Sequence, residues 1–275
     1  MKDDILKEII SHKYKEIKNK KERLPLTRLC QMACATPASG NKMSKQIQKS
    51  ETGIISEFKR RSPSKGWINR SADPTKIIPG YEAVGAAAIS VLTDESFFGA
   101  RENDFQQARS QTRLPILRKE FIIDEYQLFE SRLLGADAVL LIAAALDLEN
   151  CKKLVSRAID LNLEVLLEIH EEKELDYISP DISMIGINNR NLGSFQTCVD
   201  HSFRLGERLP KEAFKISESG ISSPQTVYEL RRAGFQGFLI GETFMRTEYP
   251  EQALRHFLSE LTLLQKTNAY DSESH

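Results

Sequence analysis

The sequence predicts an α/β protein, a single (β/α)8 barrel with an N-terminal helical extension. After Gly53, short apolar strand patterns alternate with helical patterns, and the predicted strand ends recur about every 26 residues, the length of one strand plus one helix. Eight such units within 275 residues favour one closed barrel over an open doubly wound sheet. The predicted strands end near Lys59, Leu92, Lys119, Ile142, Glu168, Asn188, Glu218 and Ile240.

Glycines mark the junctions between the predicted helices and strands. Gly85, Gly135 and Gly234 each stand at a predicted helix end, immediately before a strand pattern. Glycine suits the left-handed conformation that stops a helix, so the three positions form a weak internal repeat. We expect the barrel to occupy residues 51–265.

The first 50 residues carry no strand signal and are predicted to form helices that precede the barrel. Ile5, Ile9 and Ile17 recur at helical spacing among lysines and glutamates. A basic cluster on this helix is interrupted by acids, which predicts a solvated face rather than a nucleic-acid site. The cluster consists of Lys13, Lys15, Lys18, Lys20, Lys21 and Arg23. Residues 266–275 are polar and are expected to form a frayed tail.

The amino-acid composition indicates which kinds of molecule the protein is expected to bind. The 38 basic residues nearly cancel the 39 acidic ones, so no net field attracts nucleic acid or an anionic membrane, and a small-molecule substrate is expected. The start of the chain lacks the pattern of a signal peptide, and the longest apolar run is too short to cross a bilayer. The four cysteines form no C-x-x-C pair, which favours reduced thiols, a cytoplasmic location and no metal. The sequence carries no signal for oligomer formation, and a monomer is the working expectation.

Five of the predicted strands end in polar residues. Because side chains alternate along a strand, Glu57 and Lys59 share one face, and the polar residue that ends each later strand shares a face with an apolar residue two positions earlier. Ionised groups on a face that should be buried need a reason other than packing. The candidate catalytic residues are Glu57, Lys59, Lys119, Glu168, Asn188 and Glu218.

Such a mixture of cations and carboxylates at one barrel mouth can hold an anionic substrate and move protons. A lysine near both another cation and carboxylates can be tuned toward neutral pH as a general acid. The alternative is an inert ion-pair network that stabilises the mouth, but buried ion pairs stabilise proteins poorly.

Two glycine-containing segments at the ends of the last two strands predict a phosphate site. Ser219 and Gly220 follow the seventh strand, and Gly241 and Glu242 follow the eighth. Loops at these two places bind phosphate in many barrels, and glycine lets backbone N–H groups approach an oxyanion closely. A phosphorylated substrate is therefore expected.

Jointly, these motifs resemble the indole-3-glycerol phosphate synthase family of tryptophan biosynthesis, whose fold is a TIM barrel. The resemblance runs in the family's order from the helical extension to Met245. The segments that carry it are residues 55–66, 92–99, 115–121, 167–169, 186–192 and 217–221.

The resemblance implies a lyase that needs neither cofactor nor metal. Its substrate would be 1-(2-carboxyphenylamino)-1-deoxy-D-ribulose 5-phosphate, which undergoes ring closure, decarboxylation and dehydration. By the same resemblance, Lys119 would be the general acid, Lys59 would pair with the substrate carboxylate, and Glu168 would be the base for dehydration. Glu57, Asn188 and Glu218 would orient these groups. Phosphate would be bound by Ser219, Gly220, Gly241 and Glu242, the last through its backbone, because an acidic side chain there would repel it.

The remaining substrate contacts are expected from side chains around the mouth. Phe98 and Phe121 could form the slot for the aromatic ring or belong to the core. The other candidates are Ser62, Arg190 and Leu192. The loop 62–67 could close over the mouth with Gly66 as its hinge, while Trp67 could belong to that lid or serve as an exposed anchor.

Two other functions stay open on the sequence. A different phosphosugar barrel, such as an isomerase of a phosphoribosyl compound, should carry a cysteine base and an aspartate acid where this chain has Lys59 and Asn188. A non-catalytic barrel should have lost part of the polar set, and every member is present. His170, two residues beyond Glu168, is predicted to be a surface loop residue.

Overall fold

A closed barrel of eight parallel strands forms the centre of the molecule, as predicted. The computed structural model describes residues 5–191, 193 and 195–273. Each strand pairs in parallel with the next, and the first pairs with the last, with Ile54 opposite Phe238. The strands are β1 Ile54–Phe58, β2 Ala88–Leu92, β3 Ile116–Lys119, β4 Ala138–Ile142, β5 Glu164–Ile169, β6 Met184–Asn188, β7 Lys215–Glu218 and β8 Gly237–Ile240. Every predicted strand end therefore agrees with the structure to within one residue.

Helices surround the barrel and precede it. They are α1 Ile5–Arg23, α2 Leu26–Ala35, α3 Met43–Lys49, α4 Pro74–Val84, α5 Glu95–Phe98, α6 Asp104–Ser110, α7 Glu125–Leu134, α8 Leu148–Asp160, α9 Asp200–Gly206, α10 Pro224–Arg232, α11 Glu242–Met245 and α12 Pro250–Glu273. Short 3-10 helices cover Ala143–Ala145 and Glu172–Tyr177. The second of them takes the place of the α-helix expected between β5 and β6. The helix α12 continues past residue 265 into the predicted frayed tail.

The glycine junctions have the backbone conformation expected from the sequence. Gly85 ends α4 with φ +109°, and Gly135 ends α7 with φ +80°. Gly234 follows α10 with φ +88°. Residues with a side chain rarely adopt these angles, so the prediction is confirmed at all three sites.

Two apolar cores result from the alternation of side chains along the strands. The outer core lies between the strands and the surrounding helices. The inner core fills the barrel and contains Leu117, Leu166 and Ile216, each two residues before a polar residue at or next to the C-terminal end of its strand. Met43 and Ile47 of α3 belong to this inner core, so α3 closes the barrel at the end opposite the strand C-termini. The polar ends therefore stand above an apolar floor.

Helix α1 is attached to the barrel by a buried cation, which corrects the prediction of a solvated basic face. Lys13 is 1% exposed, and its Nζ lies 2.9 Å from Asp94 Oδ2 and 3.1 Å from Glu120 Oε1. Glu16 completes the group at 2.8 Å. Burial alone would lower the pKa of Lys13, but the three carboxylates raise it. The sequence shows Glu16 beside Lys13 on the helix but not the two acids of the barrel.

No helix in the described part of the chain is long and apolar enough to cross a membrane.

Candidate active site

A single cavity at the C-terminal ends of the strands brings the predicted site residues together. It is lined by all of the predicted residues that the structure describes, whereas Leu192 lies outside the described residues. These residues are Glu57, Lys59, Ser62, Phe98, Lys119, Phe121, Glu168, Asn188, Arg190, Glu218, Ser219, Gly220, Gly241 and Glu242. Six of the eight strands contribute a side chain or a following loop residue from this set.

The ammonium of Lys119 lies between two buried carboxyl groups. Its Nζ donates a hydrogen bond to Glu168 Oε2 at 3.0 Å and another to Glu218 Oε2. The side chains of Glu168 and Glu218 are 3% and 1% exposed, so all three groups are shielded from bulk water. The rigid ends of β3, β5 and β7 hold this arrangement.

The two carboxyl groups that share the Lys119 ammonium have pKa values shifted in opposite directions. Burial raises the pKa of Glu218 to about 8, an effect that Glu168 reinforces and Lys119 opposes. Burial also acts on Glu168, but Lys119, His170 and Asn188 together lower its pKa. The surroundings thus favour ionisation of Glu168 over that of Glu218.

The pKa of Lys119 differs from the sequence-based expectation. Burial alone would lower it, but Glu168, Glu218 and Glu57 raise it above its usual value. Lys119 is therefore held fully charged rather than tuned toward neutral pH. A ligand that neutralises or displaces the neighbouring carboxylates would make its proton easier to give up.

A second ion pair stands at the end of β1. Lys59 Nζ donates a hydrogen bond to Glu57 Oε2, and the Glu57 side chain is 5% exposed. Gly241 leaves the space for this carboxylate, because a Cβ at that position would stand 2.1 Å from Glu57 Oε2. Gly241 thus makes room for the Glu57–Lys59 ion pair and also belongs to the predicted phosphate loop.

Gly186 leaves space for the carboxyl group of Glu218 in the same way. A Cβ on Gly186 would stand 2.1 Å from Glu218 Oε1 and 3.2 Å from Leu166 Cδ1. Glu218 Oε1 is buried without a hydrogen-bond partner among the described residues. The carboxyl group therefore fits over the β6 backbone only because position 186 has no side chain.

The predicted phosphate loop has an unusual backbone, held by a residue that the sequence did not reveal. Ser219 and Gly220 have φ of +66° and +75°, and such an angle is costly for serine. Asn189 Nδ2 donates hydrogen bonds to Ser219 O at 3.0 Å and to Ser217 Oγ at 3.1 Å. Asn189 is 3% exposed, and its Oδ1 accepts from Ser202 N and Oγ. Its position next to Asn188 on the strand gave no separate signal.

Glu242 reaches neighbouring cations rather than lying free beside the predicted phosphate position. Its Oε2 accepts a hydrogen bond from Arg190 at 3.3 Å, and its Oε1 lies 3.6 Å from Lys65 Nζ. Arg190 also donates to Ser64 Oγ, which belongs to the loop of a small hairpin formed by Arg61–Ser62 and Gly66–Trp67. These contacts join the loop after β1 to the loops after β6 and β8 across the cavity.

An apolar wall completes the cavity. The rings of Phe98 and Phe121 are tilted by 42° with their centres 5.9 Å apart. Ile5, Leu6 and Ile9 of α1 line the same cavity, a contribution that the helical spacing of Ile5 and Ile9 signalled only as an apolar face. The helical extension is therefore part of the site.

Trp67 does not line this cavity and packs elsewhere. It is 47% exposed and covers Gly99, where a Cβ would meet its ring at 2.9 Å. The guanidinium groups of Arg61 and Arg70 lie 5.8 and 5.0 Å from its ring centre. Of the two roles left open by the sequence, the structure favours the exposed anchor.

The side chain of His170 is largely shielded from solvent, so the prediction of a surface residue is wrong. It follows β5 in a loop, but its side chain is only 9% exposed. Its Nε2 lies 3.3 Å from Glu168 Oε1, and Glu174 Oε2 accepts its backbone N–H at 2.5 Å. The loop turns back on itself through Glu174, which brings the ring inward where a solvent-facing position was expected.

The cysteines and acids do not assemble into a metal-binding group in the part of the chain that the structure describes. Cys30 and Cys34 lie one turn apart on α2, with 4.0 Å between their Sγ atoms, and all four cysteines are free.

Solved structures of tryptophan synthase chains have the same barrel architecture at low sequence identity. A tryptophan synthase α-subunit variant from Pyrococcus furiosus superposes with a TM-score of 0.59 at 13% identity, covering 76% of this chain and 99% of that one. The chain from the Pyrococcus furiosus tryptophan synthase α2β2 complex gives 0.57 at 14% identity, covering 78% and 98%. Identities this low show the barrel fold alone.

Sequence comparisons show the family. The family model "Indole-3-glycerol phosphate synthase" matches residues 6–257. A protein of that name from Bacteroides thetaiotaomicron is 54% identical over 255 residues, covering 93% of this chain and 98% of its own length. One from Polaromonas naphthalenivorans is 40% identical over 261 residues, covering 94% and 99%. The chain belongs to the indole-3-glycerol phosphate synthase family.

Proposed function

We propose that this protein converts 1-(2-carboxyphenylamino)-1-deoxy-D-ribulose 5-phosphate to indole-3-glycerol phosphate by ring closure, loss of carbon dioxide and loss of water. Family membership supports the overall reaction. The observation that carries the proposal at the level of residues is the Lys119 ammonium, hydrogen-bonded to Glu168 and Glu218 in a cavity above an apolar floor.

Ring closure requires a proton on the ketose oxygen as the aromatic carbon attacks. Lys119 is the general acid in this proposal, since it is charged, largely shielded from water and held by rigid strand ends. Closure leaves a cationic imine that accepts the electrons released by decarboxylation, so the reaction proceeds without an added electron sink. Lys59 pairs with the substrate carboxylate and Glu168, the ionised carboxylate, removes the proton for dehydration.

The two ends of the cavity suit the two ends of this substrate. Phe98 and Phe121 provide an apolar surface for the anthranilate ring, beside the apolar residues of α1. The backbone at Ser219, Gly220, Gly241 and Glu242 would bind the phosphate. Arg190 contacts Glu242 at that end, and Ser62 also lines the cavity. Asn188 and Glu57 would orient the reacting groups.

The direct test is turnover by the purified protein. Mixing it with the carboxyphenylamino-deoxyribulose phosphate should give indole fluorescence and one equivalent of carbon dioxide, with a chelator present and no cofactor added. A phosphosugar isomerase would release no carbon dioxide. Absence of both signals from a folded protein would refute the proposal.

A variant locates the activity in this cavity. Lys119→Ala should abolish turnover while its circular-dichroism spectrum stays that of the wild type, since the strand does not depend on the ammonium. The matched control is Lys15→Ala on the exposed side of α1, which should leave turnover unchanged. Unimpaired turnover by Lys119→Ala would exclude its role as the acid.

The balanced charge and the free thiols support a cytoplasmic enzyme as a further part of the proposal. Light scattering on the purified protein would test the monomer that we expect.

A further inference from the structure

The buried cation Lys13 lies between two acids that hold the phenylalanines of the apolar wall. Its Nζ is 2.9 Å from Asp94 Oδ2 and 3.1 Å from Glu120 Oε1. The other oxygen of Asp94 accepts a hydrogen bond from the backbone N–H of Phe98 at 3.2 Å. Glu120 Oε1 accepts one from the backbone N–H of Phe121 at 2.8 Å. A single ammonium is therefore linked to the backbone of both rings, through one carboxylate each.

The same lysine attaches helix α1 beside these rings. Ile9, one turn before Lys13, lines the catalytic cavity together with both phenylalanines. His12 Nε2 and Ser96 Oγ lie 3.0 Å apart, which adds a second link between α1 and α5. Three parts of the apolar wall thus meet at Lys13: the start of α1, the N-cap of α5 and the loop after β3.

The acids of the wall depend on this cation because no bulk water reaches them. The side chains of Lys13, Asp94 and Glu120 are all almost fully buried. Without the ammonium, Glu120 would keep Arg118, whose Nη2 lies 4.0 Å from Oε2, but Asp94 would keep no ion pair to the described residues. Two buried carboxylates, each about 3 Å from the vacated position, would then repel each other. We expect this repulsion to separate the segments that carry the rings.

We propose that Lys13 is a positioning residue for the aromatic end of the substrate, holding Phe98, Phe121 and α1 together as a slot that selects a planar ring on the substrate nitrogen. The inference rests on the proposed function and names the part of the substrate that the helical extension helps to recognise. Lys13 does not itself line the cavity, so its effect on the ring passes through the two acids and α1. A ring held loosely would also misplace the carbon that attacks.

Two matched ligands separate recognition of the ring from recognition of the rest of the substrate. The first is 1-(2-carboxyphenylamino)-1-deoxyribitol 5-phosphate, in which an alcohol replaces the ketone and prevents reaction. The second is 1-(2-carboxyethylamino)-1-deoxyribitol 5-phosphate, which keeps the amine, the phosphate and the spacing of the carboxylate but has two methylene groups in place of the ring. Calorimetry gives both dissociation constants, and the dissociation constant of the second ligand divided by that of the first is the ring preference.

Lys13→Met should lower the ring preference about tenfold or more, while the affinity for the second ligand stays within about 2-fold of wild type. The matched control is Lys20→Met on the same helix. Lys20 also attaches α1, but through Glu16 at 2.9 Å and Glu130 at 3.1 Å rather than through the acids that hold the rings. It should leave the ring preference unchanged, whereas a general loosening of α1 would affect both variants alike.

A double variant tests charge repulsion as the cause. Lys13→Met with Glu120→Gln removes one charge of each sign, and glutamine keeps an oxygen for the Phe121 N–H. The double variant should regain at least about 3-fold of the ring preference lost by Lys13→Met alone. Failure to regain it would refute charge balance as the means by which Lys13 acts.

A milder variant covers the case in which Lys13→Met does not fold, as judged by thermal unfolding. Asp94→Asn leaves Lys13 paired with Glu16 and Glu120 and keeps an oxygen for the Phe98 N–H, but turns an amide toward the ammonium. It should lower the ring preference about 3-fold, since only the link to α5 is weakened.

Binding and turnover are measured separately, which distinguishes this inference from the proposed function. If the wild type forms no indole product, the proposed function fails whatever its ring preference. If the wild type is active but the folded Lys13 and Asp94 variants keep its ring preference within about 2-fold, the inference is refuted. Equal losses of affinity for both ligands would also refute it, because they would show a general structural effect.

Discussion

Gly186→Ala adds one methyl group beneath a catalytic carboxyl group and should impair catalysis more than folding. The new Cβ would stand 2.1 Å from Glu218 Oε1, and an ordinary C···O contact needs about 3.3 Å, so the carboxyl group must move by roughly 1 Å. Such a shift breaks or lengthens the hydrogen bond from Lys119. Misplacement by this distance costs about 100-fold in rate, and overpacking costs about 1–3 kcal/mol of stability.

The assay compares kcat from indole fluorescence with the free energy of unfolding from urea titration. Gly237→Ala is the matched control, because its Cβ would approach Ile216 Cγ1 to 3.0 Å at the end of the barrel remote from the mouth. It should lose stability and keep kcat. If Gly186→Ala retains kcat within about 3-fold of wild type, the position of Glu218 does not matter to the degree argued.

A second substitution tests the proposed cause of the loss. Glu218→Asp shortens the side chain and should itself lower kcat. In the double variant, Gly186→Ala should then cost little more, because the shorter carboxyl group no longer meets the methyl. Additive losses would instead mean that the methyl acts through the backbone of β6.

The remaining predictions concern charge and loop geometry. Burial raises the pKa of Glu218 to about 8 from 4.5, so the folded state binds a proton on this carboxyl group more tightly than the unfolded state does. The stability contributed by that proton is lost as pH rises from about 4.5 to about 8. Glu218→Gln should flatten the curve of Tm against pH in that range, and parallel curves would contradict the assignment. Lys13→Met should lower the free energy of unfolding by about 3–5 kcal/mol in urea, against less than about 0.5 kcal/mol for exposed Lys15→Met; equal effects would rule out the buried ion cluster as the cause. Asn189→Ala should raise KM about tenfold by releasing the left-handed backbone of Ser219, and an unchanged KM would show that the loop holds itself.

The residues inside the barrel could be predicted because side-chain alternation along a strand depends only on sequence spacing. A strand alternates its side chains whatever its neighbours are, so Leu117 and Lys119, or Leu166 and Glu168, could be assigned to one face from spacing alone. Closing the barrel then brings the strand ends together by geometry. The positions of the six candidate catalytic side chains in one cavity followed from these two steps, whereas their chemical roles came from the family resemblance.

The residues that sequence reasoning misplaced depend on partners far along the chain. Lys13 is predicted to be solvated because the sequence does not show that Asp94 and Glu120 lie beside it in the folded protein. His170 is correctly predicted to lie in a loop, but its side chain is not on the surface because Glu174 turns the loop inward. Nothing local distinguishes a histidine or lysine that will be buried from one that will stay in water.

The helical extension closes the barrel at both ends, and this has a consequence for biosynthesis. Met43 and Ile47 of α3 fill the floor, and the start of α1 covers the mouth. These helices leave the ribosome before the strands they cover. Closure pairs β1 with β8, and at roughly 5–20 residues per second β8 follows α3 by roughly 10–40 seconds. During that interval the extension exposes apolar side chains, so the nascent chain should be a client of chaperones until its last strand emerges.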